Sequence, residues 1–433
     1  MTTSRLRASA ALLALAMLTT AACSTRAEDS AGGGGGGGGA AGGGGEGEVA
    51  TDVGVTDDAI QIGQLTDLTG VFAALSRSIT NGNQLFFDEV NADGGVCGRQ
   101  IELQTRDHGY NVQNAVSLYQ QLSGEVLGLT QVIGSPVNAA LLQNYEQDEM
   151  LAVPASWAST LLESENIMIV GTTYDYEMIG LIDYMIEQGM LAEGDAIGHI
   201  FLEGEYGENG AIGSRYAAEQ NGLRLIERRI RPTDTDVTAQ VTDLRNEGVR
   251  AIALTTTPTV AASAAAVNAG IGLNVPLLGS NPVWTPGLLD TAAGQALQDH
   301  LYLAVSWEQP SSEEPETQDI VSRYEEQFPD AQLDGGVTWG YGSAAVFTEA
   351  LRAACDNGDL TRAGLLEAFR SLDQVDVPIM PTLDYSAPGA SPSDEIYIYR
   401  PAAGVPGGVQ LESDGFYTGP TAADYQTPAE GEE

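Results

Sequence analysis

From residue 59 onward, strand-like and helical patterns alternate along the chain, and this alternation restricts the possible folds more than any other feature. The run "AIQIGQL" (59–65) predicts a short strand. The segment after it places Leu75, Ile79 and Phe86 on one helical stripe that stops at Gly94. Further strands are predicted at 101–105, 129–134, 150–154 and 167–170. This alternation favours parallel sheets with helices on both faces.

The pattern starts again near residue 196. Apolar runs predict strands at 196–203, 223–230, 251–256, 275–279 and 301–306, with helical segments between them. Two such series predict two lobes, and 433 residues are enough for two cores. Sheets of this type bind ligands beyond the carboxyl ends of their strands. We therefore expect a ligand site in a cleft between the lobes.

The first 23 residues predict an export signal. Two arginines precede an apolar run at 8–18, which is shorter than the ~20 residues that a membrane-spanning helix needs. Two alanines then stand directly before Cys23, an arrangement that resembles a bacterial lipobox, with Thr20 where leucine is usual. The resemblance implies lipidation of Cys23 and attachment to the extracytoplasmic face of the cell membrane. A freely secreted protein is the alternative.

Residues 24–56 predict a flexible tether. The glycine runs at 32–39 and 42–45 bury nothing, and glycine loses the most backbone entropy on ordering. A Gly-rich chain of about 33 residues has a root-mean-square reach of roughly 30 Å. The expected organisation is thus a signal at 1–23, a tether at 24–56 and a folded body from Asp57.

Charge and motifs exclude several classes of function. The net charge is −42, from 60 acidic residues against 18 basic ones, all of them arginine, so no basic patch is available for nucleic acid. The acidic residues are scattered, which is typical of a solvated surface. No G-x-S-x-G, H-E-x-x-H or phosphate-binding glycine loop occurs. His108, His199 and His300 lie in separate segments. We expect neither an enzyme nor a bound cofactor or metal.

Two cysteines remain if Cys23 carries lipid. Cys97 and Cys355 form an even pair in a chain expected outside the cytoplasm, which favours a disulfide. Two free thiols are the alternative.

Several segments, in order, resemble the branched-chain amino-acid type of periplasmic binding protein, which comprises substrate-binding subunits of ABC importers. The resemblance runs from about Asp57 to about Tyr385. It implies the type I periplasmic-binding-protein fold, with two doubly wound parallel-sheet lobes joined by a three-stranded hinge. The segments are "IQIGQLTDLTG", "GNQLFFDEVNADGGVCGRQIEL", "RDHGYNVQNAVSLYQQL", "QVIGSPVNAALLQNYEQDEMLAVPASWAS" and "GEYGENG".

The resemblance also implies lobe boundaries. Lobe 1 would comprise 57–174 and 308–376, and lobe 2 would comprise 175–307 and 377–433. Both Cys97 and Cys355 would then lie in lobe 1, which strengthens the expectation of a disulfide.

Ligand contacts are implied at loops that follow strands. Ser135 matches a ligand-binding serine. The segment that carries Ser156 and Trp157 matches one that binds the ligand carboxylate, and helix N-termini suit such a group. Asn281 stands where amino-acid binders have a glutamate for the ligand ammonium, and Asp175 or Glu177 would have to substitute. The candidate set is Phe72, Leu75, Ser135, Asn138, Ser156, Trp157, Asp175, Tyr206, Thr257, Asn281 and Trp284.

The implied function is that of a lipid-anchored, monomeric solute-binding protein. It would trap a small polar organic ligand, an amino acid or a related compound, between its lobes and deliver it to an ABC permease. Amides, aromatic acids and urea-like compounds stay open as ligands. A sensor of the same fold that signals to a membrane receptor is the alternative.

Overall fold

The computed structural model describes residues 49–430. The strands are β1 (Ala50–Thr51), β2 (Ala59–Thr66), β3 (Gln100–Asp107), β4 (Gly128–Ile133), β5 (Ala152–Ala155), β6 (Ala196–Leu202), β7 (Arg224–Ile230), β8 (Val249–Thr255), β9 (Leu277–Gly279), β10 (Leu301–Val305), β11 (Asp359–Leu360), β12 (Gln374–Val375), β13 (Leu383–Asp384), β14 (Tyr397–Pro401) and β15 (Val409–Leu411). The helices are α1 (Ala73–Ala92), α2 (Val112–Leu122), α3 (Ser135–Gln147), α4 (Tyr174–Glu187), α5 (Glu205–Gln220), α6 (Thr238–Asn246), α7 (Pro258–Gly270), α8 (Gly294–His300), α9 (Pro315–Gln327), α10 (Gly335–Asp356) and α11 (Arg362–Arg370).

Two main sheets organise these elements. The first has four parallel strands in the order β3-β2-β4-β5. The second has seven strands in the order β15-β14-β10-β9-β8-β6-β7. Strands β6 to β10 are parallel, and β14 and β15 add an antiparallel edge. All residues of β4 and β6 are buried, as expected for parallel strands covered on both faces. The α/β class is confirmed, whereas the antiparallel edge was not predicted.

The chain passes between the two sheets three times. Strands β2 to β5 belong to the first sheet, and β6 to β10 belong to the second. The chain then returns, since α9 and α10 contact α1, and α10 also contacts β4. Finally, β14 and β15 join the second sheet. Loops from both sheets can therefore meet at one site.

Helices α1 and α10 cross closely because glycines lie at their contact. A Cβ atom on Gly82 would lie 2.3 Å from the Val337 carbonyl oxygen. A Cβ atom on Gly340 would lie 2.4 Å from the Ile79 carbonyl oxygen. Any larger residue at either position would push the helices apart.

A disulfide joins the ends of the same two helices. The sulfur atoms of Cys97, in the turn after α1, and Cys355, in the last turn of α10, are bonded. The two Cα atoms lie 5.9 Å apart, and 258 positions separate the residues in sequence. The bridge thus ties together two distant parts of the chain.

Two local predictions differ from the structure. The predicted strand at 167–170 is wrong: only Ile167 forms a bridge, with Ala152. The Val170 carbonyl instead accepts the indole N–H groups of Trp157 and Trp339, at 2.8 and 2.9 Å. At the other end, β1 pairs with β11. Strand β1 therefore lies before the expected boundary at Asp57. The sequence did not predict it, because a two-residue strand gives no recognisable pattern.

The predictions for residues 1–48 concern the segment before the first described residue. Cys23, the export signal and the glycine runs lie outside the described residues. Within residues 49–430, every helix is too short or too polar to span a bilayer.

Candidate ligand-binding site

Asp67 shapes the loop that carries Phe72. Asp67 follows β2, and its carboxylate oxygens accept hydrogen bonds from the amides of Gly70, at 2.5 Å, and Phe72, at 2.9 Å. These bonds turn the chain into the start of α1. Phe72 is thereby fixed at the carboxyl end of the first sheet, where the sequence placed it.

Asp107 shapes the loop that carries Tyr110. This last residue of β3 accepts hydrogen bonds from the amides of Leu68 and Gly109, both at 2.9 Å. Tyr110 has a φ of 56°, in the left-handed region that is uncommon for residues other than glycine. A Cβ atom on Gly134 would lie only 2.7 Å from the Tyr110 ring. Glycine at 134 therefore leaves room for this ring.

A first compartment, partly open to solvent, lies among these loops. Its walls combine loops that follow strands of the first sheet with loops that follow β6 and β9 of the second. Most of the wall is aromatic or aliphatic. The lining residues are Phe72, Leu75, Tyr110, Ile133, Gly134, Ser135, Ala155, Trp157, Tyr174, Tyr206 and Pro282.

Tyr206 and Trp157 present rings to this compartment, because their polar groups are bonded elsewhere. The Tyr206 hydroxyl is within hydrogen-bond distance of the Thr256 carbonyl, at 3.2 Å, and of the Ser280 hydroxyl, at 2.7 Å. The Trp157 indole N–H is used by Val170, as described above. Both residues can therefore offer a ligand only apolar contact or a ring face.

One end of the first compartment is polar. Ser135 is the first residue of α3, and its hydroxyl lies 2.6 Å from the Ser156 hydroxyl. The N-terminus of a helix carries unpaired N–H groups and a partial positive charge. A carboxylate is the ligand group that best suits this end.

A second compartment adjoins the first. Leu75 lines both compartments. The rings of Trp157 and Trp307 stack with centroids 5.3 Å apart, so the aromatic wall is continuous. The lining residues are Leu75, Asn281, Trp284, Leu303, Val305, Trp307, Gln309, Asp334, Gly335, Gly336, Tyr399 and Val409.

Glu177 is covered by Asn281, whereas Asp334 is the acid that lines the second compartment. Asn281 donates to the Glu177 carboxyl group through its side-chain amide, at 2.8 Å, and its backbone amide, at 3.3 Å. Burial raises the pKa of Glu177 well above its usual value, against the effect of these two bonds. Glu177 lines neither compartment. It therefore lies behind Asn281, outside both compartments.

Asp175 is committed to an internal network. Its carboxylate accepts hydrogen bonds from the hydroxyls of Ser159 and Thr173, both at 2.5 Å, and of Tyr425, at 2.8 Å. Burial raises the pKa of Asp175, and these bonds oppose the rise. Asp175 also lines neither compartment.

The remaining candidates have local structural partners. Asn138 donates to the carbonyls of Val132, at 3.0 Å, and Gly134, at 2.9 Å. Thr257 caps α7 by accepting from the amide of Val260. The structure thus brings the following candidates to the two compartments: Phe72, Leu75, Ser135, Trp157, Tyr206, Asn281 and Trp284, with Ser156 in contact with Ser135.

Sequence reasoning missed several lining residues. Tyr110 follows β3, and Trp307 and Gln309 follow β10, so the rule that ligands bind beyond strand ends would have found all three. Tyr174 begins α4, and Asp334 precedes α10. Both lie where the chain enters a helix, which single-sequence patterns do not mark as a binding position.

A family profile for periplasmic binding proteins matches residues 59–405. The chain belongs to this family. A fatty acid ABC transporter substrate-binding protein from Thermomonospora curvata is 39% identical, with a TM-score of 0.85 over 88% of this chain and 97% of that one. A branched chain amino acid ABC transporter structure from Thermus thermophilus, with bound valine, is 16% identical, with a TM-score of 0.73 over 85% of this chain and 98% of that one.

These structures confirm the type I periplasmic-binding-protein fold. In sequence, the chain is 24% identical over 198 residues to the Leu/Ile/Val-binding protein BraC3 of Rhizobium johnstonii. That match covers 44% of this chain and 52% of the relative. The chain thus spans about half the length of the curated relatives it matches.

Proposed function

We propose that this chain is the substrate-binding subunit of an ABC importer and captures a carboxylic acid with an apolar body and no ammonium group. The carboxylate would lie at the start of α3, near Ser135. The apolar body would pack on the rings of Phe72, Tyr174 and Tyr206. This differs from the small polar ligand that the family resemblance alone favours.

The observation that carries this proposal is the absence of an ionised partner for an ammonium in the first compartment. Its lining residues include no acid or base. Glu177, the acid closest in position to the family's glutamate, is covered by Asn281, and burial raises its pKa well above the usual value. A buried ammonium without an anionic partner is costly. The fatty acid ligand in the name of the Thermomonospora curvata protein agrees with this ligand class.

The proposed mechanism is closure around the ligand. Lobe 1 would comprise 57–174 and 308–376, and lobe 2 would comprise 175–307 and 377–433, rotating about the three crossovers. Support comes from the meeting of Phe72, which follows a strand of the first sheet, with Tyr206, which follows a strand of the second. Their ring centroids lie 6.4 Å apart. A ligand between such loops would favour the closed form.

The proposal includes the cellular setting. A lipid on Cys23 would hold the protein at the extracytoplasmic face of the membrane, and the closed form would dock on an ABC permease as a monomer. The family match supports an extracytoplasmic binding protein.

Leucine and 4-methylpentanoate provide the sharpest test, because they share the same apolar body and differ by the ammonium group. We expect calorimetric titration of the full-length chain to show 4-methylpentanoate binding at least tenfold more tightly than leucine. Straight-chain acids of four to twelve carbons would then define the length of the site. Tighter binding of leucine than of 4-methylpentanoate would overturn the proposed ligand class.

A further inference from the structure

The second compartment contains a buried hydrogen-bond acceptor without a partner. The backbone N–H and one side-chain N–H of Asn281 donate to Glu177. The side-chain oxygen Oδ1 has no hydrogen-bond partner within residues 49–430, although Asn281 is only 8% exposed. An unpaired buried acceptor is rare in folded proteins and calls for an explanation. A donor on the ligand would supply one.

A second amide in this compartment also has unused capacity. The backbone N–H of Gln309 donates to the Tyr399 hydroxyl, at 3.2 Å. The Gln309 side-chain amide lies against Gly335, where a Cβ atom would be 2.2 Å from Oε1. In the described part of the chain, this side-chain amide makes no hydrogen bond. Gln309 therefore offers a donor and an acceptor next to the compartment that Asn281 lines.

The other polar groups of the compartment already have partners. The Asp334 carboxylate accepts from the Gly336 amide, at 2.9 Å, and from the Gln332 side chain, at 2.8 Å. The indole N–H groups of Trp284 and Trp307 donate to backbone carbonyls, at 3.4 and 2.8 Å. The unused capacity thus lies in the Asn281 and Gln309 side-chain amides and in the Tyr399 O–H, which has no acceptor in the described part of the chain. Asp334 is the one acid in the lining.

A hydroxyl is the ligand group that fits these two amides. It can donate to Asn281 Oδ1 and accept from Gln309 Nε2, whereas an ammonium can only donate and a methyl group can do neither.

We propose that the second compartment recognises a hydroxyl group on the apolar body of the ligand, so that the cleft selects hydroxylated carboxylic acids. This inference rests on the proposed function, because it takes the carboxylate to lie near Ser135 in the first compartment. Leu75 and the Trp157–Trp307 stack connect the two compartments. The ligand hydroxyl therefore lies toward the end of the ligand that is remote from its carboxylate.

The test compares three matched ligand series by calorimetry on the full-length chain: straight-chain acids of four to twelve carbons, their ω-hydroxy derivatives and their ω-amino derivatives. We expect that, at the best length, the ω-hydroxy acid binds at least tenfold more tightly than the parent acid. The ω-amino acid should bind no more tightly than the parent acid.

Two variants connect the preference to the amides. Asn281→Leu removes the unpaired acceptor, and Gln309→Met removes the second amide without touching Glu177. Either change should reduce the affinity ratio between hydroxylated and parent acid to about twofold or less. Gln220→Met, at the exposed end of α5 and outside both compartments, should keep the ratio. If Asn281→Leu fails to fold, Gln309→Met decides the outcome.

Three outcomes would contradict the expectation, and they show which of the two proposals fails. Parent acids that bind with no gain from a hydroxyl would overturn this inference and leave the proposed function standing. Tighter binding of the ω-amino acid than of the ω-hydroxy acid would overturn the assignment to a hydroxyl. Failure of every acid to bind, with or without a hydroxyl, would overturn both proposals.

Discussion

At the scale of single residues, Tyr206 separates the roles of a ring and its hydroxyl. The ring lies near those of Tyr174 and Phe72, with centroids 4.7 and 6.4 Å away, while the hydroxyl faces Thr256 and Ser280. Tyr206→Phe should lower the free energy of unfolding by about 1 kcal/mol through the lost hydrogen bonds. Tyr206→Ala should lower ligand affinity by about tenfold or more, because it removes the wall of the compartment.

Chemical denaturation measures the first effect, and calorimetry with 4-methylpentanoate measures the second. Tyr206→Phe is the matched control for affinity. An equal loss of affinity in both variants would show that the hydroxyl contacts the ligand.

Asp334 predicts a pH dependence of stability. Burial raises its pKa from the usual 3.8 to about 6, against hydrogen bonds from Gln332, Ser78 and Gly336. Between these two values the unfolded chain has lost its proton while the folded protein keeps it, so stability falls as pH rises toward 6. Asp334→Asn cannot titrate there and can still cap α10.

We therefore expect the stability of Asp334→Asn, relative to the unmodified protein, to increase between pH 4 and pH 6. The total change is about 3 kcal/mol at most. It should level off above about pH 7. Urea unfolding of both proteins at each pH measures this difference, and a difference that is constant with pH would contradict the raised pKa.

At the scale of elements, the crossing of α1 and α10 depends on glycine. Gly340→Ala would place a Cβ atom 2.4 Å from the Ile79 carbonyl oxygen. We expect this overpacking to lower the free energy of unfolding by about 1–3 kcal/mol. Gly270→Ala, at the end of α7 where nothing lies within 4 Å, is the matched control and should raise stability by up to about 1 kcal/mol. Equal losses in the two variants would contradict the close crossing.

The bridge between Cys97 and Cys355 acts on the same pair of helices. Replacing both cysteines with serine should lower the free energy of unfolding by about 2–5 kcal/mol, because the bond closes a long loop in the unfolded chain. Urea unfolding without reductant measures this loss. Mass mapping after thiol labelling, under denaturing conditions without reductant, should find neither residue labelled. Labelling of either would contradict the bridge.

The elements could be predicted where their signals are local. Buried parallel strands such as β6 give continuous apolar runs, and the Asn111 side chain caps α2 by accepting from Asn114, as its position predicts. The segment at 167–170 is equally apolar but does not form a strand, because the indole groups that take the Val170 carbonyl come from elsewhere in the sequence. Such competition appears only after folding.

The site residues also divide into those that a local pattern predicts and those that depend on tertiary partners. Position after a strand predicts Phe72 and Ser135 at the first compartment, and both line it. Whether a polar group faces a ligand depends on tertiary partners, and no local pattern reveals them. Thus Asp175 is an attractive candidate in sequence, yet Ser159, Thr173 and Tyr425 occupy its carboxylate.

At the scale of the whole molecule, the cleft belongs to both sheets. Its walls come from loops that the chain reaches only by passing between the sheets, so neither sheet alone forms the two compartments. Ligand binding should therefore stabilise the whole body against unfolding. The gain is roughly 2.7 kcal/mol at a ligand concentration of a hundred times Kd.

We expect the location of the whole molecule to depend on one atom, the sulfur of Cys23. A net charge of −42 disfavours attachment to an anionic membrane surface, so any stable attachment has to come from acyl chains, each buried methylene contributing ~0.8 kcal/mol. Serine has no thiol to acylate, and we expect Cys23→Ser to move most of the protein from the membrane fraction to the soluble fraction while ligand binding is kept. Thr20→Leu, which completes the usual lipobox, should stay in the membrane fraction. Fractionation with an acyl-chain label decides the matter: an unlabelled parent protein, or Cys23→Ser that stays in the membrane, would rule out the lipid anchor.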